Sequence, residues 1–328
     1  MKKSLILKNN SDVLVELAGE YRSLSSLNEP KKQTIDSYNV AIKAFVEFLA
    51  GEQNCLATDV NLTIVTPPQV LIFFIAKVND GFKRNTIKLW ECAIKYLYKQ
   101  NNLPCPTNNP AFKEAFHGLL KKFTSKKVQQ ATALLTNDII RMTETRLSDN
   151  ELIERRDKVI IIIGFTGGFR TDELVTTRYR PGGDCDSVQD ISEGFVIEVL
   201  ESKTDYRKVF IPNLPNKKIN PAAILSEWLN IVKVGQLFQR ISKSGNMHGS
   251  LSDTSVRRML KERARLAKLK NWQGVSGHTL RRSFDTVAYL NGASIANIGT
   301  QTGQSKETVL KYISDIDFIT KNPANILF

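Results

Sequence analysis

The chain has only three histidines, and one of them stands where it could do chemistry. His278 lies three residues before Arg281 in SGHTLRRSFDTVAYLNG, so on a helical turn the two side chains face the same side. Arg282, the next residue, must point elsewhere, towards Asp285 or a phosphate. Arg170 stands in GFTGGFRTDELVTT, where an apolar helix ends at Gly167 and Gly168 and a new one starts at Thr171 with Asp172 and Glu173 in its first turn. An arginine at a helix start lies beside unbonded backbone N–H groups and can help to hold an anion. A surface arginine paired with Glu173 or Asp172 would look the same in sequence. Lys203 falls in the polar turn ESKTDYRK, where a lysine is ordinarily a solubilising charge. Tyr312, in NIGTQTGQSKETVLKYISD, falls on the last turn of a short helix capped by Ser305, with Val309, Leu310 and Ile313 as its apolar contacts. That is also a usual place for a half-buried packing tyrosine. Anion holding, proton transfer and a nucleophilic hydroxyl are all on offer, and each residue alone has an ordinary structural explanation.

The elements that must position these residues fall into two kinds. TIDSYNVAIKAFVEFLA places Ile35, Tyr38, Ala41, Ile42, Phe45, Phe48 and Leu49 on one helical face. PPQVLIFFIAKVND opens on prolines suited to a first turn. NTIKLWECAIKYLYKQ carries Ile87, Trp90, Ile94 and Leu97 as a stripe, with Lys83 and Arg84 just ahead and Lys88 and Lys95 elsewhere on its surface. NPAFKEAFHGLLKKF is a fourth amphipathic pattern, so residues 1–123 are expected to form a helical domain. The polar, basic stretch at 124–132 has no strong period and reads as a linker. Residues 133–328 are mixed: helices at TNDIIRMTETRL and DNELIERRDKVIIIIGFTGG, a β-hairpin over 194–212, and helices again at PAAILSEWLNIV and SDTSVRRMLKERARLAKL. The last of these carries Arg257, Arg258, Lys261, Arg263, Arg265 and Lys268.

Bulk properties bound the function. A chain of 328 residues is too long for one ordinary core and implies two domains. Lys and Arg number 46 against 33 Asp and Glu, a net charge of +13, which favours a polyanionic partner such as nucleic acid. The cysteines Cys55, Cys92, Cys105 and Cys185 form no C-x-x-C pair, and with so few histidines no zinc constellation assembles at the usual spacings. They read as reduced thiols of a cytosolic or nuclear protein. The apolar run of MKKSLILKNN is too short for a signal peptide, and VIIIIGF is too short to span a bilayer.

The order of the reactive residues is more specific than any one of them. An arginine before a helix, a hairpin lysine, His-x-x-Arg and a late tyrosine, in that order, resemble the tyrosine recombinase (integrase) family. TGGFRTDEL resembles the family's first arginine box, GHTLRRSFDTVAYLNGASI its second, and TGQSKETVLKYI its tyrosine box. The preceding helical part and linker resemble the core-binding domain of these enzymes, so the likeness covers most of the chain.

The resemblance implies a mainly α fold of two domains. A helical core-binding domain would be joined to an α+β catalytic domain with a small antiparallel sheet, the two forming a C-shaped clamp around DNA. It implies strand cleavage by Tyr312 to a 3′-phosphotyrosine, strand exchange through a Holliday junction, and no metal, nucleotide or other cofactor. Arg170 and Arg281 would hold the non-bridging oxygens, a task that suits the planar guanidinium fork. Lys203 would protonate the leaving 5′ oxygen, His278 would carry a proton or donate a hydrogen bond, and Glu173 would orient rather than react. Lys83, Arg84, Lys88, Lys95, Arg257, Arg258, Lys261 and Arg282 are the candidate DNA contacts.

Gln304 is the remaining catalytic candidate and departs from the family pattern, where His or Trp is usual, and the segment from there to Tyr312 is slightly short. Glutamine can still donate a hydrogen bond. The apolar Phe318, Ile319, Ile326, Leu327 and Phe328 need a host, and the resemblance implies a neighbouring protomer in a tetramer on inverted half-sites. A type IB-like topoisomerase and a degenerate DNA-binding protein of the same fold are the rival readings.

Overall fold

The computed structural model describes residues 32–123, 132–180, 188–199 and 206–320, without the side chains of 33 and 314–320. The expected linker at 124–132 lies outside the described residues except for Thr132, as do Lys203, Cys185 and the side chains of the apolar tail. The chain divides into two compact units, Met1–Val128 and Gln129–Phe328.

The first unit is helical. It contains α1 (Lys32–Gln53), α2 (Pro67–Asn79), α3 (Arg84–Gln100) and α4 (Pro110–Lys121). Proline starts α2 and α4, where its missing N–H costs nothing. The Asn109 side chain accepts from the first-turn amides of Ala111 and Phe112 and so caps α4. The core is aromatic: Phe45, Phe73, Phe74, Trp90, Phe112 and Phe116 are buried, and Phe73 stacks on Trp90 with ring centroids 5.8 Å apart. The stripe predicted for α3 is the buried one, Ile87, Trp90 and Ile94, while Lys83, Arg84 and Lys88 are exposed. Lys95 pairs with Glu91 one turn back.

The second unit begins with α5 (Thr136–Glu144), α6 (Glu151–Thr166) and the short α7 (Thr171–Thr176). Strand β1 (Arg178–Tyr179), which pairs with the later strand at Gly235–Gln236, is followed by a three-stranded sheet of β2 (Val188–Ile191), β3 (Gly194–Val199) and β4 (Arg207–Pro212). The predicted hairpin is present, with Gly194 opposite Pro212 and Val199 opposite Arg207, and β2 adds a third antiparallel strand that periodicity did not show. Then come α8 (Pro221–Val232), β5 (Gly235–Gln236), β6 (Gln239–Ile241), β7 (Met247–Ser250), α9 (Asp253–Leu266), α10 (Thr279–Leu290), α11 (Ile295–Thr302) and α12 (Lys306–Thr320). The mainly α architecture with small antiparallel sheets is as expected.

The core of this unit wraps α6, whose Ile160, Ile161, Ile162 and Ile163 are all buried. Ile298, Val309 and Ile313 form a separate small cluster with Phe284 and Tyr289, which docks α12 on α10 and α11. Two expectations about α12 are corrected. The helix runs on to Thr320, with Ser305 accepting from the amide of Thr308, so Tyr312 lies mid-helix and not on a last turn. No glycine or proline follows Tyr312 until residue 323 to break the helix. Leu310 is 44% exposed, because the docking stripe runs through Val309 and Ile313 and the next residue round turns outward. Among the described residues, no helix is long and apolar enough to cross a membrane.

Candidate active site

The site grows from the end of α6. Gly167 caps that helix, and Gly168, at φ +57°, takes the left-handed turn that a side chain would oppose. A Cβ on Gly168 would stand 2.6 Å from Thr302 Cγ2, so glycine also lets the end of α11 approach. The next two residues separate in purpose. Phe169 goes into the core, and Arg170 becomes the residue that precedes α7. The Arg170 amide donates to Glu173 Oε2 at 2.9 Å, and its Nη1 donates to Glu173 Oε1 at 2.6 Å. The pairing that the sequence offered as the ordinary explanation is therefore real.

It is only part of the pattern. Glu173 is 3% exposed, and two further guanidiniums reach it: Arg207 Nη2 donates to Oε2 at 2.7 Å and Arg281 Nη1 at 3.4 Å. Burial works against ionisation of this carboxylate, but Arg207, the Arg170 amide and Arg281 together outweigh it and hold Glu173 below the usual carboxylate range. Glu173 thus serves as the common counter-ion that lets three arginines sit together.

Arg281 is 1% exposed, an unusual place for a guanidinium. Nη1 also donates to the Gly168 carbonyl at 3.2 Å, and Nη2 donates to the Thr302 carbonyl. Its pKa is pushed down to about 10, first by burial and then by Arg170. Even there it stays charged at neutral pH. His278 precedes α10 and its side chain is exposed, yet surrounding protein and then Arg170 lower its pKa below the ordinary imidazole range. Its ring is therefore neutral at pH 7. Arg170 and Arg281 both act on His278, which puts these three sequence-predicted residues in one neighbourhood. Arg257, exposed on α9 and paired with Asp253, flanks the same turn: a Cβ on Gly277 would stand 2.8 Å from its Nε.

Tyr312 is half-buried on α12, with the Arg282 guanidinium 5.5 Å from its ring centroid. The expectation that Arg282 points away from the His278–Arg281 side holds, and the tyrosine ring is what it faces. At 8% exposure, Arg282 is a packed residue and not an open surface contact. Arg258 and Lys261 are exposed on α9, Lys261 lying 5.9 Å from the Trp272 ring. Arg263 corrects the picture of that helix as uniformly solvated: it is fully buried and bound to Glu154 at 2.9 Å and Asp157 at 3.4 Å.

Two contributors were not singled out from the sequence. Arg207 on β4 is 6% exposed, stacks over Phe169 at 5.2 Å and donates to the Gln301 carbonyl as well as to Glu173. It links the strand that follows the Lys203 hairpin to α7 and α11. A signal existed: strand alternation puts Arg207 in phase with the buried Val209 and Ile211. Asp285 is fully buried, one turn beyond Arg281. Burial pushes it up to about 7, against the pull of Arg281, Gln304, Arg207 and Arg282.

The site is thus a cluster of guanidiniums in which Glu173 is the firmly ionised carboxylate. That surplus of positive charge suits a phosphate, and the helix of Tyr312 packs on α10, the helix that carries Arg281. A curated relative, the integrase/recombinase XerD homolog of Selenomonas ruminantium, is 25% identical over 274 residues, covering 80% of this chain and 77% of its own. Over most of its length this chain is therefore similar to an integrase/recombinase. No protein-family model matches it. The chain shares its fold with XerH site-specific recombinase, solved on palindromic difH substrate after cleavage, at TM-score 0.62 and 16% identity over 89% of this chain and 79% of that one. A lambda integrase tetramer solved on a Holliday junction aligns at TM-score 0.56 and 16% identity, over 93% of this chain and 82% of the integrase chain.

Proposed function

We propose that this chain is a site-specific DNA recombinase that cuts and rejoins strands through a covalent phosphotyrosine. The observation that carries the reading is the convergence of Arg170 and Arg281 on Glu173, a single charge too weak to neutralise the arginines, with His278 in the field of both. In the reaction, the Tyr312 hydroxyl oxygen bonds to the scissile phosphorus as the bond to the 5′ oxygen breaks. Arg170 and Arg281 hold the non-bridging oxygens, where charge grows in the transition state. His278, neutral at pH 7, can accept the tyrosine proton, and Lys203 supplies one to the departing 5′ oxygen. Attack by a 5′ hydroxyl of the exchanged strand reverses each step, so the phosphodiester is regained without a high-energy cofactor.

The partner is double-stranded DNA, in keeping with the charge of +13 and with relatives solved on DNA. A homotetramer on inverted half-sites, joined by exchange of the apolar tail, belongs to the same proposal. So do the domain boundaries at 1–123 and 133–328 and DNA contacts from Lys83, Arg84, Lys88, Lys95, Arg257, Arg258 and Lys261.

The test uses duplexes tiled across the DNA flanking the coding region, each nicked to trap cleavage, incubated with full-length protein in a chelator. The expected result is a denaturation-resistant adduct whose nucleotide-bearing peptide contains Tyr312. Modification of Tyr206 or Tyr289 would reassign the nucleophile, and tight specific binding without any adduct would favour a DNA-binding protein with a dead site. With the trapped duplex in hand, Arg170→Ala should slow single-turnover cleavage by about 10²–10³-fold, the usual cost of one donor to a developing oxyanion. Thermal stability should change little, because Arg207 and Arg281 still neutralise Glu173.

A further inference from the structure

Asp285 has no part in the catalytic roles set out above, and it touches Gln304, the candidate that departs from the family pattern. Gln304 follows the end of α11, where Gly303 makes a left-handed turn at φ +65° that brings the chain back against Arg207 and Arg281. Arg281 Nε is a donor only, so the Gln304 amide must turn its oxygen towards it. With that orientation Gln304 Oε1 accepts from Arg281 Nε, and Gln304 Nε2 donates to Asp285 Oδ2 at 3.0 Å. The reverse orientation would set donor against donor and acceptor against acceptor.

We infer that Asp285 is a positioning residue for strand cleavage, which fixes the Gln304 amide and through it the Arg281 guanidinium. This rests on the recombinase reading and extends it to a residue that does not touch the DNA. The geometry gives the reason. Arg281 is held by the Gly168 and Thr302 carbonyls, by Glu173 and by Gln304, which leaves one N–H of Nη2 without a protein partner among these bonds. An arginine with so little donor capacity in reserve must be aimed well, and Nε is the edge that Gln304 controls. Asp285 is buried, and its Oδ1 has no hydrogen-bond partner among the described residues, so Gln304 is the neutral group that ties the carboxyl in place.

The charged groups acting on Asp285 are Arg281 and Arg282 on its own helix and Arg207 on β4. Against them, burial raises Asp285 to about 7, so the carboxyl changes charge near neutral pH. Ionised, it makes a charge-assisted bond to Gln304; protonated on Oδ1, it keeps only a weaker neutral acceptor. Cleavage should therefore rise with pH through about 7, and a separate limb from His278 should lie below its ordinary value near 6.5.

The experiment measures single-turnover adduct formation against pH, with protein saturating the nicked duplex on which wild type forms its adduct. Asp285→Asn keeps the shape and an acceptor for Gln304 but not the charge. It is expected to be about fivefold slower than wild type at pH 8, the difference between a charge-assisted and a neutral hydrogen bond, and to lose the limb near 7 while keeping the lower one. In a Gln304→Ala background, Asp285→Asn should change the rate by less than about twofold, because the link is already gone. Unchanged pH profiles, or effects of the two substitutions that multiply, would overturn the assignment. Wild-type adduct formation in the same experiment would leave the recombinase reading standing.

Discussion

Tyr312→Phe is expected to abolish the covalent adduct entirely while leaving DNA affinity within about twofold of wild type. The substitution removes one oxygen, and Tyr312 is the single tyrosine in the sequence of α12. The ring itself remains, and so does the Arg282 guanidinium that lies against it at 5.5 Å. Packing is also retained, because α12 is docked by Val309 and Ile313 and not by the tyrosine hydroxyl. The measurement is a denaturing gel of the nicked duplex beside a binding titration of the same duplex. An adduct that survives the change, at any rate above background, would remove Tyr312 from the reaction and point to Tyr289, which packs in the same small cluster.

Glu173→Ala is expected to destabilise the second unit strongly. The carboxylate is 3% exposed and binds Arg170, Arg207 and Arg281. Removing it leaves buried positive charges facing each other without a counter-ion, and breaking a buried pair in this way costs about 3–5 kcal/mol. For a unit of this size that is a fall of about 10 °C in Tm. Cleavage should fall with it, because Arg170 and Arg281 lose the anchor that fixes their positions.

The sign of the pH dependence follows from Glu173 being held below the usual carboxylate range. Its contribution is complete above its unfolded pKa near 4.5 and is lost as pH falls through its lower folded value. Wild type should therefore lose stability on acidification below about pH 4.5, and Glu173→Ala should lose less over that window. Thermal unfolding of both proteins between pH 3 and pH 7 checks this. Equal acid sensitivity in the two would show that Glu173 is not the counter-ion that the contacts imply.

How much of this was legible in the sequence depends on how local the signal is. The α3 stripe, the α6 apolar run and the 194–212 hairpin are written in periodicities of a few residues, and all three form as read. The arginine, His-x-x-Arg and tyrosine segments were recognisable because each is a short contiguous box. Length misled in one place: α12 continues past Tyr312 because nothing stops it, and a motif read as ending at the tyrosine hides that. Charge misled in another. Arg263 looks like its basic neighbours on α9, yet it is sealed against Glu154 and Asp157, more than a hundred positions earlier in the chain.

By itself, then, the sequence determined which segments are helical, where the strands of the main hairpin lie, and which residue types stand ready for phosphate chemistry. Only the tertiary structure decided which of those charges share a site. Glu173 and Arg281 meet across a separation of 108 residues, Glu173 and Arg207 across 34, and Asp285 meets Gln304 through a left-handed turn at Gly303. A period along the chain reports which face an element buries, because burial acts on each residue separately. It cannot report which buried charge will pair with which, because that depends on the distance between elements brought together by packing. Alternation could mark Arg207 as buried, but which groups Arg207 and Asp285 meet was decided only by the fold.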